Sequence, residues 1–162
     1  MLHIARDVIH VGFIAGLHTV MNYRAASPVL YKQYGANGRT ESMVAVVLPR
    51  HLVNGRAPDA SVKNYIRTIG RSEDQAGHIL AAKYMGSERD FHNYFAQNVH
   101  INMVRGRVIE AMVAQIVRRD EYARYSVNLL FENDAATRPY QIIYTIQSRN
   151  GTVLFQDTIP NP

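Results

Sequence analysis

The sequence predicts one α+β domain with a mostly antiparallel sheet and one long helix. Apolar residues recur at helical spacing between Val104 and Val117, which predicts an amphipathic helix. Two segments rich in β-branched and aromatic residues follow it, YSVNLLFE (125–132) and YQIIYTIQS (140–148), and predict neighbouring strands. A chain of 162 residues can bury a core of ordinary size, so these elements are expected to pack together.

The first 39 residues are predicted to be an N-terminal extension of a domain that spans residues 40–162. Their apolar run, VIHVGFIAGLHTV (8–20), is interrupted by His10 and His18 and is too short to span a bilayer. We expect this run to pack on the domain or against a second copy of the chain, in a homodimer. No convincing signal peptide is recognised, so the sequence leaves a secreted and a cytoplasmic location open.

The first half of the domain is predicted to contain one strand between loops. A turn in YGANGRT (34–40) precedes the valine-rich run Met43–Leu48, which predicts a buried strand ended by Pro49. Residues 50–70 are predicted to be a long polar loop. ILAAKYM (79–85) is predicted to be a short helix or strand.

The second half of the domain is predicted to begin with the long helix. Asn102 stands in the position of an N-cap, and the helix is expected to run to about Tyr122. After the two strands, a turn at Asn150 and Gly151 is expected to lead into a last short strand, TVLFQ.

Charge and composition favour one kind of partner and exclude several chemistries. Lysine and arginine number 18 against 13 acidic residues, and the net charge of +5 favours a polyanion such as nucleic acid. The chain has no cysteine, which excludes disulfides, cysteine-ligated zinc and thiolate nucleophiles.

A series of polar and glycine-containing segments follows the predicted loop in a fixed order. These segments are DQAGH (74–78), MGS (85–87), NYFAQN (93–98), HIN (100–102), MVRGRVIE (103–110) and TRPYQIIYTIQSRNG (137–151). The ordered set resembles the DNA/RNA non-specific endonuclease family, the sugar-non-specific ββα-metal nucleases, and within it the bacterial toxin and DNA-entry branch. The resemblance covers about residues 40–162.

His78 is the predicted general base. Phosphodiester hydrolysis needs a nucleophile, neutralisation of the developing charge and a proton for the leaving oxygen. The ordinary histidine pKa of about 6.5 leaves a neutral imidazole near pH 7 that can take a proton from water. Gly77, directly before it, is expected to allow close approach of the backbone to the sugar-phosphate or a positive φ.

Asn102 is the predicted metal ligand, with Mg2+ as the expected ion and Mn2+ as the alternative. A hard cation prefers oxygen ligands and keeps most of its waters, so one carboxamide and the substrate phosphate can hold it. In a regular α-helix the side chain of Glu110 would point about 80° away from that of Asn102. This favours a role for Glu110 in orienting the ion's waters or in supplying the leaving-group proton through water, as the resemblance also implies.

The sequence departs from the family pattern at two places. Ala96 stands where a proline is common, and Gln75 and Ala76 fill positions where the better-known branch has an arginine. A guanidinium near the scissile phosphate would stabilise the developing charge, and the sequence does not choose among several candidates for it. The predicted substrate-binding residues are Arg67, Arg71, Arg105, Arg107 and Asn98.

Together these features predict a metal-dependent endonuclease that cleaves DNA, RNA or both with little sequence preference. The alternative is a catalytically inactive basic protein that keeps the fold and binds nucleic acid or serves as an assembly unit. The intact set of His78, Asn102 and Glu110 disfavours that alternative. No membrane partner is expected, and the sequence leaves open whether a protein inhibitor exists.

Overall fold

The computed structural model describes residues 27–35 and 37–162, so the predictions for the apolar N-terminal run lie outside the described residues. The strands are β1 (Val29–Tyr34), β2 (Thr40–Val47), β3 (Gln75–His78), β4 (Tyr94–Gln97), β5 (Ala123–Leu130), β6 (Gln141–Gln147) and β7 (Val153–Pro160), and the α-helices are α1 (Ala60–Ile69), α2 (Val99–Ile101) and α3 (Arg107–Asp120). No helix in this part of the chain has the length and apolarity needed to cross a membrane.

The larger sheet is antiparallel, with the strand order β1-β2-β5-β6-β7. Buried and partly exposed residues alternate along β5 and β6, because one face of the sheet packs against α3. The buried face of α3 contributes Ile109, Val113 and Val117 to this core. The turn predicted at Asn150 and Gly151 is present, with Gly151 at φ +86°.

The N-terminal strand β1 was not predicted from the sequence. It pairs with β2 across a turn in which Gly38 has a φ of +78°. The predicted division of the chain at residue 40 stays a prediction, although β1 lies before it and belongs to the same sheet as β2.

The prediction of a polar loop over residues 50–70 is wrong for its second half, which forms α1. The carboxylate of Asp59 caps this helix by accepting a hydrogen bond of 2.9 Å from the backbone N–H of Ser61. Val62 and Ile66 lie four residues apart on one helical face and are buried. Lys63, which lies between them, and Arg67, which follows Ile66, are exposed, and they hide this short apolar stripe in the sequence.

The small sheet contains β3 and β4, paired over four residues. One of its faces packs on α1 through Val62, Ile66, Ala76, Tyr94 and Ala96. Phe95 points the other way, into the main core. The small sheet therefore lies between α1 and the scaffold formed by the larger sheet and α3.

The long helix begins earlier than the sequence predicted. The N-cap is Asn98, whose side chain accepts hydrogen bonds from the N–H groups of His100 and Ile101, whereas Asn102 already has helical φ and ψ. Residues Asn102–Gly106 form a π-helical turn, and α3 continues directly from it. A π turn holds one extra residue, so the eight-residue step from Asn102 to Glu110 has the phase of about seven α-helical residues. The expected angle of 80° between these side chains assumed a regular α-helix, which this segment is not.

Candidate active site beside the small sheet

His78 is the last residue of β3 and lies opposite Tyr94 of β4. The centroids of the two rings are 4.8 Å apart. The Nε2 atom of His78 is buried and has no hydrogen-bond partner within residues 27–35 and 37–162. Burial lowers the pKa of His78, with a smaller opposing effect of Glu110 and a smaller lowering effect of Lys83. The imidazole is therefore neutral near pH 7 and has a ring nitrogen free to accept a proton.

Gly77 is required by packing and not by a positive φ. The glycines with positive φ in the described chain are Gly38 and Gly151. A Cβ atom on Gly77 would lie 2.3 Å from Oε1 of Gln97 and 2.9 Å from the ring of Phe95. The positive φ considered from the sequence is thus wrong, and the close approach of this glycine is to β4.

Asn93 and Gly86 fix the chain where it leaves His78. The side chain of Asn93 accepts a hydrogen bond of 3.0 Å from the N–H of Leu80 and donates one of 2.9 Å to the carbonyl of Leu80. A Cβ atom on Gly86 would lie 1.9 Å from the same carbonyl oxygen. Both residues of the ordered motif set therefore hold the loop that follows the candidate base.

Asp74 anchors the start of β3 through a buried ion pair. Arg138 donates to both carboxylate oxygens, at 2.7 and 3.0 Å, and the backbone N–H of Arg71 donates at 2.8 Å. Burial alone would raise the pKa of Asp74, but the hydrogen bonds from Arg138 and Arg71 outweigh it and lower the pKa. Arg138 also donates to the backbone carbonyls of Asn161 and Pro162, which ties β3 to the end of the chain.

Asn102 opens onto the same space as His78. Both line a cavity of about 390 Å3, together with Gln75. The Nδ2 atom of Asn102 donates a hydrogen bond of 3.0 Å to Oε1 of Gln75, while its Oδ1 accepts none within the described part of the chain. Gln75 therefore fixes the orientation of the amide and leaves its carbonyl oxygen available to a cation.

Glu110 meets His78 and Asn102 at a second, smaller cavity that all three line. Its carboxylate forms a 2.6 Å ion pair with Lys83, and Tyr84 donates its hydroxyl hydrogen bond to the backbone carbonyl of Glu110. Lys83 was not singled out in the sequence. Nothing local marks it, because its partner lies on a different element and far along the chain.

The five predicted substrate-binding residues have different surroundings. Arg67 lines the 390 Å3 cavity, as does Lys63, one turn earlier on α1, which the sequence did not single out as a site residue. Arg105 is ion-paired with Asp157 at 2.8 Å. The remaining three do not line the two cavities beside His78: Arg71 and Arg107 are exposed, and Asn98 caps α2.

The donor set suits a hard cation that keeps most of its waters. Among the described residues, no cluster of three or more His, Cys, Asp or Glu side chains could enclose a metal ion. The free carbonyl oxygen of Asn102, oriented by Gln75, offers one neutral oxygen ligand beside a cavity large enough for waters and a phosphate. Asn102 therefore fits the position predicted for the ion.

The sequence is similar to one curated nuclease. No protein-family model matches the chain. It is 30% identical over 123 residues, 75% of its length, to the probable deoxyribonuclease RhsA of Dickeya dadantii. The chain spans about 8% of the length of that protein.

The fold is similar to those of solved nucleases. The NucA structure from Streptococcus agalactiae with magnesium ion bound has a TM-score of 0.58 and 18% identity, and the match covers 98% of this chain and 77% of that one. The Sda1 nuclease with bound zinc ion has a TM-score of 0.62 and 10% identity over 83% of this chain and 73% of that one. These matches show that the chain has an α+β fold similar to that of these nucleases, as predicted. They confirm the resemblance to the ββα-metal non-specific nucleases that the ordered motifs indicated.

Proposed function

We propose that this chain is a metal-dependent endonuclease that hydrolyses phosphodiester bonds of DNA, RNA or both, with Mg2+ as the ion and Mn2+ as the alternative. One observation carries the proposal: His78, whose Nε2 atom has no partner among the described residues, and Asn102, whose carbonyl oxygen is free, line the same cavity. The similarity to a probable deoxyribonuclease supports DNA as a substrate.

His78 acts as the general base and takes the proton of the attacking water on its imidazole ring. Asn102 would hold the ion through its carbonyl oxygen, and Gln75 keeps the amide in that orientation. When bound, the ion would neutralise part of the negative charge that develops on the phosphate.

Glu110 is held by Lys83 at the edge of the smaller cavity, where its carboxylate orients a water that gives its proton to the leaving oxygen. Arg67 and Lys63 bind phosphates from the wall of the larger cavity. Arg71 and Arg107 remain proposed phosphate contacts along the exposed surface. Arg105 and Asn98 are proposed to be weaker contacts, because an ion pair and a helix cap already engage them.

The test is digestion of supercoiled plasmid and of total RNA by wild type and by His78→Ala, each with Mg2+ and with EDTA. We expect cleavage only with the metal, and a loss of about 10²- to 10⁴-fold in His78→Ala because the general base is removed. The ratio of the two wild-type rates identifies the preferred polymer.

His100→Ala is the matched control, because His100 is exposed and does not line the cavities beside His78. It should keep the wild-type rate. If wild type cleaves neither polymer with several divalent ions but still retards them on a gel, the inactive nucleic-acid-binding alternative is correct.

A further inference from the structure

Another cavity, of about 250 Å3, lies near His78. Tyr94 separates the two, since it lines this cavity and its ring also packs against the ring of His78. The lining includes six side chains with planar rings, which are Tyr65, Phe91, His92, Tyr94, Phe95 and Phe131. The proposed cleavage mechanism uses none of these residues.

Two buried hydrogen-bond donors without partners belong to this cavity. The hydroxyl of Tyr94 and the Nε atom of Arg39 are buried and have no partner among the described residues. Burial, with the nearby charges of Glu88 and Asp90, raises the pKa of Tyr94 to about 12, so its hydroxyl stays a donor. Buried donors are rarely left unpaired, and both of these belong to side chains that line the cavity, so a ligand that carries acceptors suits this lining.

The charge of Arg39 is already balanced, which argues against a phosphate as this ligand. Its Nη2 atom forms a 2.8 Å ion pair with Glu41, and its Nη1 atom donates to backbone carbonyls of the loop after β5. Its guanidinium lies 4.0 Å over the ring centroid of Phe131. What remains unsatisfied is one N–H group, which suits a neutral acceptor.

Two exposed aromatic rings lie at the same cavity, with their planes tilted by 53°. Tyr65 on α1 and Phe91 have ring centroids 5.0 Å apart. They are 37% and 42% exposed although both are large and apolar. Nucleobases stack on such rings without regard to sequence.

We propose that this cavity binds one base of the nucleic-acid strand whose backbone is cut at His78. The inference rests on the proposed function and adds a base contact to it. A base has ring nitrogens and carbonyl oxygens that accept hydrogen bonds, two flat faces and no charge. The cavity is smaller than the roughly 300–1,000 Å3 typical of drug-sized ligands, so it suits a single base.

The test compares the binding of two fluorescein-labelled single strands in EDTA, an oligothymidylate and an abasic strand of the same length and charge. Anisotropy should show wild type binding the oligothymidylate about tenfold more tightly, because one base stacks. Tyr65→Ala and Phe91→Ala should remove this preference. Tyr94→Phe, which deletes only the hydroxyl, should reduce it by a smaller factor.

Tyr140→Ala is the matched control, since Tyr140 is exposed and does not line this cavity. It should keep the full preference. Equal binding of the two strands by wild type overturns the base site, as does a preference that survives in both Tyr65→Ala and Phe91→Ala. Plasmid cleavage with Mg2+ reports separately on the nuclease, so failure of the base site and failure of the proposed function are distinguishable.

Discussion

Strands β5 and β6 pair over seven residues and bury alternate apolar side chains, whereas β3 and β4 pair over four residues and depend on polar groups at their ends. In the larger sheet the core is formed by residues such as Ile142 and Ile146, which are fully buried. In the small sheet, Asp74 is bound by Arg138 at one end, and Asn93 holds the chain after His78 at the other. Apolar burial has no preferred direction, but hydrogen bonds and ion pairs fix geometry. The region that carries the candidate base is therefore held by interactions that fix its position.

The largest expected effect, since it lowers both stability and cleavage, is on the polar anchor of the small sheet. Asp74→Asn should lower the free energy of unfolding by about 3 kcal/mol, because it leaves Arg138 buried without its counter-charge. Urea unfolding measures this loss. Plasmid cleavage by the folded variant should also fall, because β3 carries His78.

The pH dependence of this stability loss gives a second test of the ion pair. The pKa of Asp74 is lowered in the folded state, so its contribution is present above the unfolded pKa of about 3.9 and is lost as the pH falls through the folded value. The stability difference between wild type and Asp74→Asn should thus shrink below about pH 4. A difference that stays constant from pH 7 to pH 3 would contradict the ion-pair account. Asp120→Asn, in an exposed pair with Arg119, is the control and should not measurably change stability.

The next effect is expected in the larger sheet, and it tests whether stability and cleavage can be lost separately. Ile142→Ala, at a fully buried position in β6, should cost about 2–5 kcal/mol of unfolding free energy through lost burial and a cavity. Cleavage per folded molecule, measured well below the melting temperature, should stay at the wild-type rate. If cleavage by Ile142→Ala falls as far as in Asp74→Asn, the activity of the site is not independent of packing in the larger sheet.

The smallest effect concerns metal affinity. Gln75→Ala should weaken binding of Mn2+ by about 10- to 100-fold, because it removes the hydrogen bond that orients Asn102. Electron paramagnetic resonance of free Mn2+ measures this affinity without any cleavage. Unfolding should hardly change, since Gln75 is exposed, and Gln115→Ala, at an exposed position of α3, should bind the ion as wild type does. Unaltered Mn2+ affinity in Gln75→Ala would rule out the orienting role.

Part of the candidate site could be anticipated from the order of polar residues along the chain. DQAGH, HIN and the helix after them identified His78, Asn102 and Glu110, and the structure brings these three to one small cavity. Their catalytic and metal-binding roles stay predictions. Lys83 and Lys63 were missed, because a single lysine carries no local sign of the residue it will face.

The sequence by itself determined the α+β class, the strands β2, β5 and β6, the turn at Gly151 and the existence of the long helix. These features depend on contacts between residues two to four positions apart, which periodicity and turn residues report directly. Only the tertiary structure decided the pairing of Asp74 with Arg138 and the π turn after Asn102. An ion pair between distant residues leaves no periodic trace. A single extra residue in a helical turn changes which side chains face the same cavity without changing the apolar pattern.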